Sequence, residues 1–166
     1  MNTDNSNKTK IRNIALNGIM LAITVALQAT NLPNIVTGVF VNSIFVFCLF
    51  YVGIKSSITL CLLSPLFGFM TGHIPVFMYP VLPMIALGNC LLVVTLKKLE
   101  KHSKWLQFIL PALIKTSVIC VGGWLMIKTF MPDKIQYFLV FTVLGIQFFT
   151  AVPGIWLGTK LSKSIK

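Results

Sequence analysis

Acidic residues are almost missing from this chain. Its 166 residues include only Asp4, Glu100 and Asp133, against 14 Lys and Arg, and none of the three lies inside a long apolar segment. Proton-coupled transporters and intramembrane hydrolases rely on buried carboxylates, so the sequence argues against both classes. Paired carboxylates, an H-E-x-x-H sequence and a credible Ser-His-Asp set are absent too. We therefore do not expect an enzyme.

Motifs for cofactors and metals are also missing. The chain has no G-x-x-x-x-G-K-[ST] sequence, which would cradle the phosphates of ATP. Its cysteines all lie in apolar segments without C-x-x-C spacing, and we interpret them as small core residues; they are Cys48, Cys61, Cys90 and Cys120. The basic residues lie between apolar segments and form no single water-facing surface, which argues against nucleic acid. We expect no cofactor, no metal and no nucleic-acid partner.

Long apolar segments dominate the chain. Hydrophobic residues make up 56% of it, and the mean hydropathy is +0.88. A bilayer core needs roughly 20 apolar residues per helix, so the sequence predicts an all-α integral membrane protein with a single domain over residues 1–166. Its six predicted transmembrane helices lie near residues 11–30, 38–54, 56–72, 75–96, 106–129 and 135–159. Turn-forming residues separate them.

The distribution of basic residues predicts the orientation. Eleven Lys and Arg lie on one side of the predicted spans, including those of "KKLEKHSK" at residues 97–104, whereas only Lys128 and Lys134 lie on the other. Cytoplasmic loops retain Lys and Arg. We therefore expect both termini in the cytoplasm and a multi-pass protein of the cell membrane.

Polar side chains within the spans are the candidate binding residues. Amides in hydrocarbon need partners, which are either neighbouring helices or a ligand. Lys115 is the strongest candidate, because no intramembrane carboxylate is available to pair with it. Its side chain contacts a ligand, snorkels toward the headgroups or meets a carbonyl. The candidate core consists of Asn89, Lys115 and Gln147, with Asn42 as a possible further contact.

The segment "TGHIPVFMYPVLP", residues 71–83, carries three prolines. Each proline removes a backbone donor, so we expect non-helical backbone here, in the form of an extracellular lid over a cavity. His73 and Tyr79 are its candidate contacts. The alternative is that both are interfacial residues at the level of the headgroups.

The first span has two different faces. Side chains about 100° apart around a helix place Ala15, Gly18, Ala22, Ala26 and Ala29 within an arc of about 80°. Asn17, Thr24 and Gln28 lie opposite, within about 40°. If the polar face meets the bundle, the small face points outward. Small residues permit close helix approach, so this row suits a surface that binds and releases a partner, although packing inside the bundle is also common for such rows.

Four features of the chain carry a resemblance to a known family: the six predicted helices, the cytoplasmic termini, the row of Gly18, Ala22 and Ala26, and the sequence "ALGN" ending at Asn89. In these features the chain resembles the S components of energy-coupling factor (ECF) transporters. The resemblance implies that the chain binds a vitamin or similar micronutrient from outside. It also implies a module of a transmembrane T subunit and two ATPases, with the small-residue row docking on the T subunit. The alternative is a non-transporting membrane scaffold or assembly factor whose polar residues only join helices.

The orientation can be tested by cysteine labelling. In a chain without its native cysteines, we expect His102→Cys to be protected from an impermeant thiol reagent added to intact cells. Asp133→Cys should react, because the Lys-rich loops are retained in the cytoplasm. The opposite labelling pattern would overturn the predicted orientation.

Overall fold

The computed structural model of the protein describes residues 2–30, 32–130 and 136–165, with side chains over 7–30, 32–130 and 145–165. Within these ranges the chain forms six α-helices and one 3-10 helix, and no strand. The α-helices are α1 (Asn2–Ala29), α2 (Asn34–Tyr51), α3 (Ile54–Met70), α4 (Leu82–Lys98), α5 (Lys104–Phe130) and α6 (Gln136–Ser164), and the 3-10 helix is Val76–Val81. The all-α fold predicted from the sequence is confirmed.

Several of these helices match the thickness of a bilayer. In the described part of the chain, four helical segments are long and apolar enough to cross a membrane: Asn7–Ala29, Asn34–Tyr51, Val76–Lys98 and Lys104–Phe130. α3 is apolar but has 17 residues. The chain is thus a helical membrane protein. The number of six spans and the orientation stay predictions, and Asp133 and Lys134 lie outside the described residues.

The largest differences between the helix bounds and the predicted spans lie at two places. α1 begins at Asn2 and not near residue 11, because backbone hydrogen bonding continues past the apolar segment. The expectation of non-helical backbone over residues 71–83 holds only for 71–75. Val76–Val81 is a 3-10 helix, and Pro83 lies at the start of α4, where its missing N–H would have no helical partner in any case.

The most extensive helix contact joins α2 and α6. Two glycines of α6 permit it: a Cβ at Gly158 would lie 2.5 Å from the backbone oxygen of Ser43, and one at Gly154 would lie 2.5 Å from Asn42 Cβ. In lipid there is no hydrophobic drive between helices, so close approach at small residues supplies the packing. This contact fixes the position of Asn42 in the bundle.

Gly158→Ala tests the α2–α6 contact. The added methyl group would overlap backbone that cannot move as a flexible side chain does, so we expect a loss of about 1–3 kcal/mol in stability. The measurement is thermal unfolding of the purified protein in detergent.

Gly18→Ala on α1 is the matched control, because nothing lies within 4 Å of a Cβ at that position. We expect its stability to be unchanged or slightly higher, since alanine favours a helix by roughly 0.5–1 kcal/mol over glycine. Equal effects of the two substitutions would contradict the packing argument.

Candidate functional site

A cavity of about 120 Å³ lies inside the helix bundle. All six α-helices contribute to its lining, together with residues 73–75 of the segment after α3. Five of the six residues singled out as binding candidates line it: Asn42, His73, Asn89, Lys115 and Gln147. The structure therefore brings these side chains, from four helices and one loop, around a single space.

Lys115 lies in the interior, with only 2% of its surface exposed. Its Nζ donates a hydrogen bond of 2.6 Å to Asn42 Oδ1, so the side chain does not snorkel toward a headgroup. Apart from Asp4, near the start of α1, the six helices contain no acidic residue. The ammonium group is thus held by a neutral amide, and an ammonium has three N–H donors.

Asn42 links three helices through its amide. Its oxygen accepts from Lys115 on α5, and its Nδ2 donates to Thr150 Oγ1 on α6 at 3.4 Å. Thr150 Oγ1 in turn donates to the backbone oxygen of Gln147 at 3.1 Å. Because a lysine offers only donors, its contact fixes which end of the Asn42 amide is the oxygen. This chain of bonds holds the Lys115 ammonium in place.

Two buried oxygens at the cavity have no hydrogen-bond partner among the described residues: Gln28 Oε1 and Asn89 Oδ1. Gln28 is 6% exposed and Asn89 5% exposed. Gln28 Nε2 donates to the backbone oxygen of Ser64 at 3.3 Å and to Ser64 Oγ at 3.0 Å. A backbone carbonyl only accepts, so this bond fixes the Gln28 amide with its oxygen free. Each unsatisfied acceptor costs about 1–3 kcal/mol, and a donor that enters the cavity would remove that cost.

Close helix contacts at glycines bring these polar groups together. A Cβ at Gly88 would lie 3.2 Å from the backbone oxygen of Lys115, and one at Gly68 would lie 3.0 Å from Gln28 Nε2. Gly88 directly precedes Asn89, so α4 can pack close to α5 beside the ammonium. The glycine of "ALGN" therefore has a packing role at the site.

A second, polar cavity of about 220 Å³ adjoins the first at one end of the bundle. The two share Gln28, Asn34 and His73, and the second is also lined by Thr30, Leu32, Thr71 and Gly72. It therefore lies between the α1–α2 connection and the segment after α3. Burial lowers the pKa of His73 below its usual value, so the imidazole is neutral at pH 7. These residues form the mouth of the site.

Tyr79 does not line the cavity, and its prediction as a contact is corrected. Its side chain is 64% exposed, and its ring lies against that of Phe69 with centroids 5.7 Å apart. It borders a separate apolar groove on the outer surface of the bundle. The 3-10 helix turns Tyr79 outward and instead buries Met78, which lines the cavity.

Several residues that line the cavity were not predicted from the sequence. Gln28 was recognised only as part of the polar face of α1, whereas Asn34, Thr37, Ser64 and Thr150 were not singled out. A signal existed for Thr150, which follows Gln147 by three residues and so shares its helix face. None existed for Ser64, because buried serines in membrane helices commonly bond within their own helix.

The two faces of α1 are arranged as its helical geometry predicts. Thr24 and Gln28 are buried against the bundle and Asn17 is half-buried. All the small residues of the opposite arc are exposed: Ala15, Gly18, Ala22, Ala26 and Ala29. The small face therefore points away from the other helices.

Comparison with known proteins adds no relative: no family model, no curated protein and no solved structure matches the chain. Within the described residues, no group of three His, Cys, Asp or Glu is placed to hold a metal ion. Two features of this molecule bear on its function: the polar cavity and the exposed small face of α1.

Lys115→Met separates a structural from a functional lysine. Methionine keeps an unbranched chain and removes a buried charge whose desolvation costs several kcal/mol, although it leaves Asn42 Oδ1 without its donor. We expect the variant to be at least as stable as the unaltered protein in thermal unfolding. A loss of stability as large as that of Gly158→Ala would make Lys115 a structural residue.

Proposed function

We propose that the protein is the S component of an ECF-type transporter in the cell membrane, with six spans and cytoplasmic termini. It captures a small micronutrient from the extracellular side and delivers it through a T subunit driven by two ATPases. The protein itself performs no catalysis in this proposal. The observation that carries it is the interior cavity, whose lining includes an ammonium with no carboxylate beside it and two residues with amide oxygens that have no hydrogen-bond partner among the described residues.

The cavity favours solute capture over a purely structural role. Polar residues that only join helices satisfy one another, as Asn42 and Thr150 do. Gln28 Oε1 and Asn89 Oδ1 instead stay without a partner among the described residues, and such groups stabilise a bound solute. The mouth between the α1–α2 connection and residues 71–75 gives the solute a route to one surface.

The exposed small face of α1 supports the docking half of the proposal. Gly18, Ala22 and Ala26 leave the helix backbone accessible to a partner helix. A Cβ at Gly18 would touch nothing within 4 Å, so the bundle itself does not use this close approach. The proposed occupant is a helix of the T subunit.

The double variant Ala22→Leu, Ala26→Leu tests this division of roles. Both side chains are exposed and lie opposite Thr24 and Gln28, so we expect folding and solute binding by the isolated protein to survive. Uptake by cells that carry the T subunit and ATPases should fall sharply, because leucines hold a partner helix away. The paired measurement is thermal stabilisation by vitamins and nucleobases beside uptake.

Lys115→Met is the contrasting variant. It should lose binding and uptake together, with affinity reduced roughly ten- to a hundredfold by loss of a charged hydrogen bond. If the leucine variant loses binding and uptake in parallel, or if neither changes, the proposal that this face of α1 docks on the T subunit is wrong. Co-purification with an unrelated complex, without an ATPase pair, would favour the scaffold alternative.

A further inference from the structure

The charges around the cavity restrict what can bind there. Lys115 is the only Lys or Arg among the residues that line it, and no Asp or Glu lines it. His73 adds no charge at pH 7, since burial lowers its pKa. The described lining thus carries a single positive charge. A cation would be repelled, and a neutral solute would leave the buried ammonium without a counter-charge.

A singly charged anion fits this site better than a phosphate. A phosphate monoester carries about −1.5 to −2 charges at pH 7 and would leave negative charge uncompensated in the interior. A carboxylate carries one charge, and it can accept from the N–H groups of Lys115 that Asn42 does not use. Charge neutrality in a low-dielectric space therefore favours a monocarboxylate.

The unpartnered amide oxygens set a second requirement. Gln28 Oε1 is fixed as an acceptor by the bonds from its Nε2 to Ser64. A carboxylate cannot donate to it, so the same solute needs an N–H or O–H group elsewhere. Asn89 is the second unpartnered acceptor at the cavity.

The group that binds the carboxylate and the group that accepts from the donor lie at different depths in the bundle. Gln28 lines both the cavity and its mouth, whereas Lys115 lines only the cavity. Asn42, the partner of Lys115, lies eight residues after Asn34, the first residue of α2, or about 12 Å along the helix. Asn34 lines the mouth. The charged end of the solute therefore enters first, and its donor faces the mouth.

We infer that this cavity selects a small monocarboxylate with an N–H or O–H donor at the end away from the carboxylate. The carboxylate binds the Lys115 ammonium, and the donor binds Gln28 Oε1. The inference rests on the proposed function, because it names the solute class for the same site. Aliphatic side chains such as Val41, Ile85 and Ile146 also line the cavity and suit an apolar body.

Matched probes test the charge and the donor separately. The acids are para-aminobenzoate, para-hydroxybenzoate and para-hydroxyphenylacetate, each of which carries its donor opposite the carboxylate and is compared with its primary amide. Benzoate is the acid without a donor. We expect at least one of the three acids to raise the melting temperature of the full-length protein in lipid nanodiscs. Its amide should bind roughly ten- to a hundredfold more weakly, and benzoate should also bind more weakly.

Asn42→Asp is the sharper variant, because it changes charge with little change of shape. The new carboxylate accepts from Lys115 where the amide does, but it cannot donate to Thr150 Oγ1 as the amide does. We expect the Thr150 hydroxyl to turn from the backbone oxygen of Gln147 and donate to the carboxylate instead, so that the fold is retained while the site becomes neutral. We expect the preference for acid over amide to be abolished or reversed. This ratio compares two ligands on the same preparation, so a partly unfolded sample does not change it.

The outcomes separate this inference from the proposed function. If amides or amines stabilise the protein and none of the acids does, or if Asn42→Asp keeps the preference for acid, the inference is wrong while solute capture stands. If neither these probes nor any vitamin or nucleobase stabilises the protein, both are wrong. If benzoate binds as well as the acids with donors, the role of Gln28 is wrong and the inference falls with it.

Discussion

The buried ammonium of Lys115 is the constraint on which the rest of this structure depends. An ion of this kind costs several kcal/mol in a membrane interior unless it is compensated, yet its one described hydrogen bond is to the neutral amide of Asn42. That bond joins α5 to α2, and the bond from Asn42 to Thr150 brings α6 to the same level of the bundle. The packing of the helices therefore maintains a polar site that is electrostatically incomplete, which distinguishes it from a satisfied structural network.

Small residues determine how closely the helices around that site can approach. Gly154 lies against Asn42, Gly88 lies against the backbone of Lys115, and Gly68 lies against Gln28. Each of these polar residues is thus positioned by a glycine on a neighbouring helix. In lipid, where apolar side chains gain little by leaving the solvent, this close packing is the main source of helix association. The same contacts that hold the bundle together also position the site.

Much of the site was predictable because polar side chains such as these cost free energy when they are buried in an apolar segment. Asn42, Asn89, Lys115 and Gln147 stand out in apolar segments, since amides and ammonium groups in hydrocarbon need partners. Hydroxyl side chains such as Ser64 and Thr37 give no such signal, because they can bond to carbonyls of their own helix. Their role at the cavity follows only from the tertiary arrangement.

Tyr79 was misplaced for a different reason. Prolines within residues 71–83 indicated a departure from α-helix, but not which alternative conformation replaces it. In the 3-10 helix that forms, successive side chains are about 120° apart, so α-helical spacing does not predict which residue faces inward. Met78 is buried and Tyr79 exposed as a result. From the sequence, His73 was correctly predicted to line the cavity, whereas Tyr79 was predicted there in place of Met78.

α1 connects the two features on which the function is proposed. Its inward side supplies Gln28, whose fixed amide leaves an acceptor at the cavity, and its outward side carries Ala22 and Ala26. The buried residues along its described length are only Met20, Thr24 and Gln28. The bonds from Gln28 to Ser64 are among the contacts that join α1 to α3. A solute that donates to Gln28 therefore binds directly to the helix whose opposite face is open to a partner.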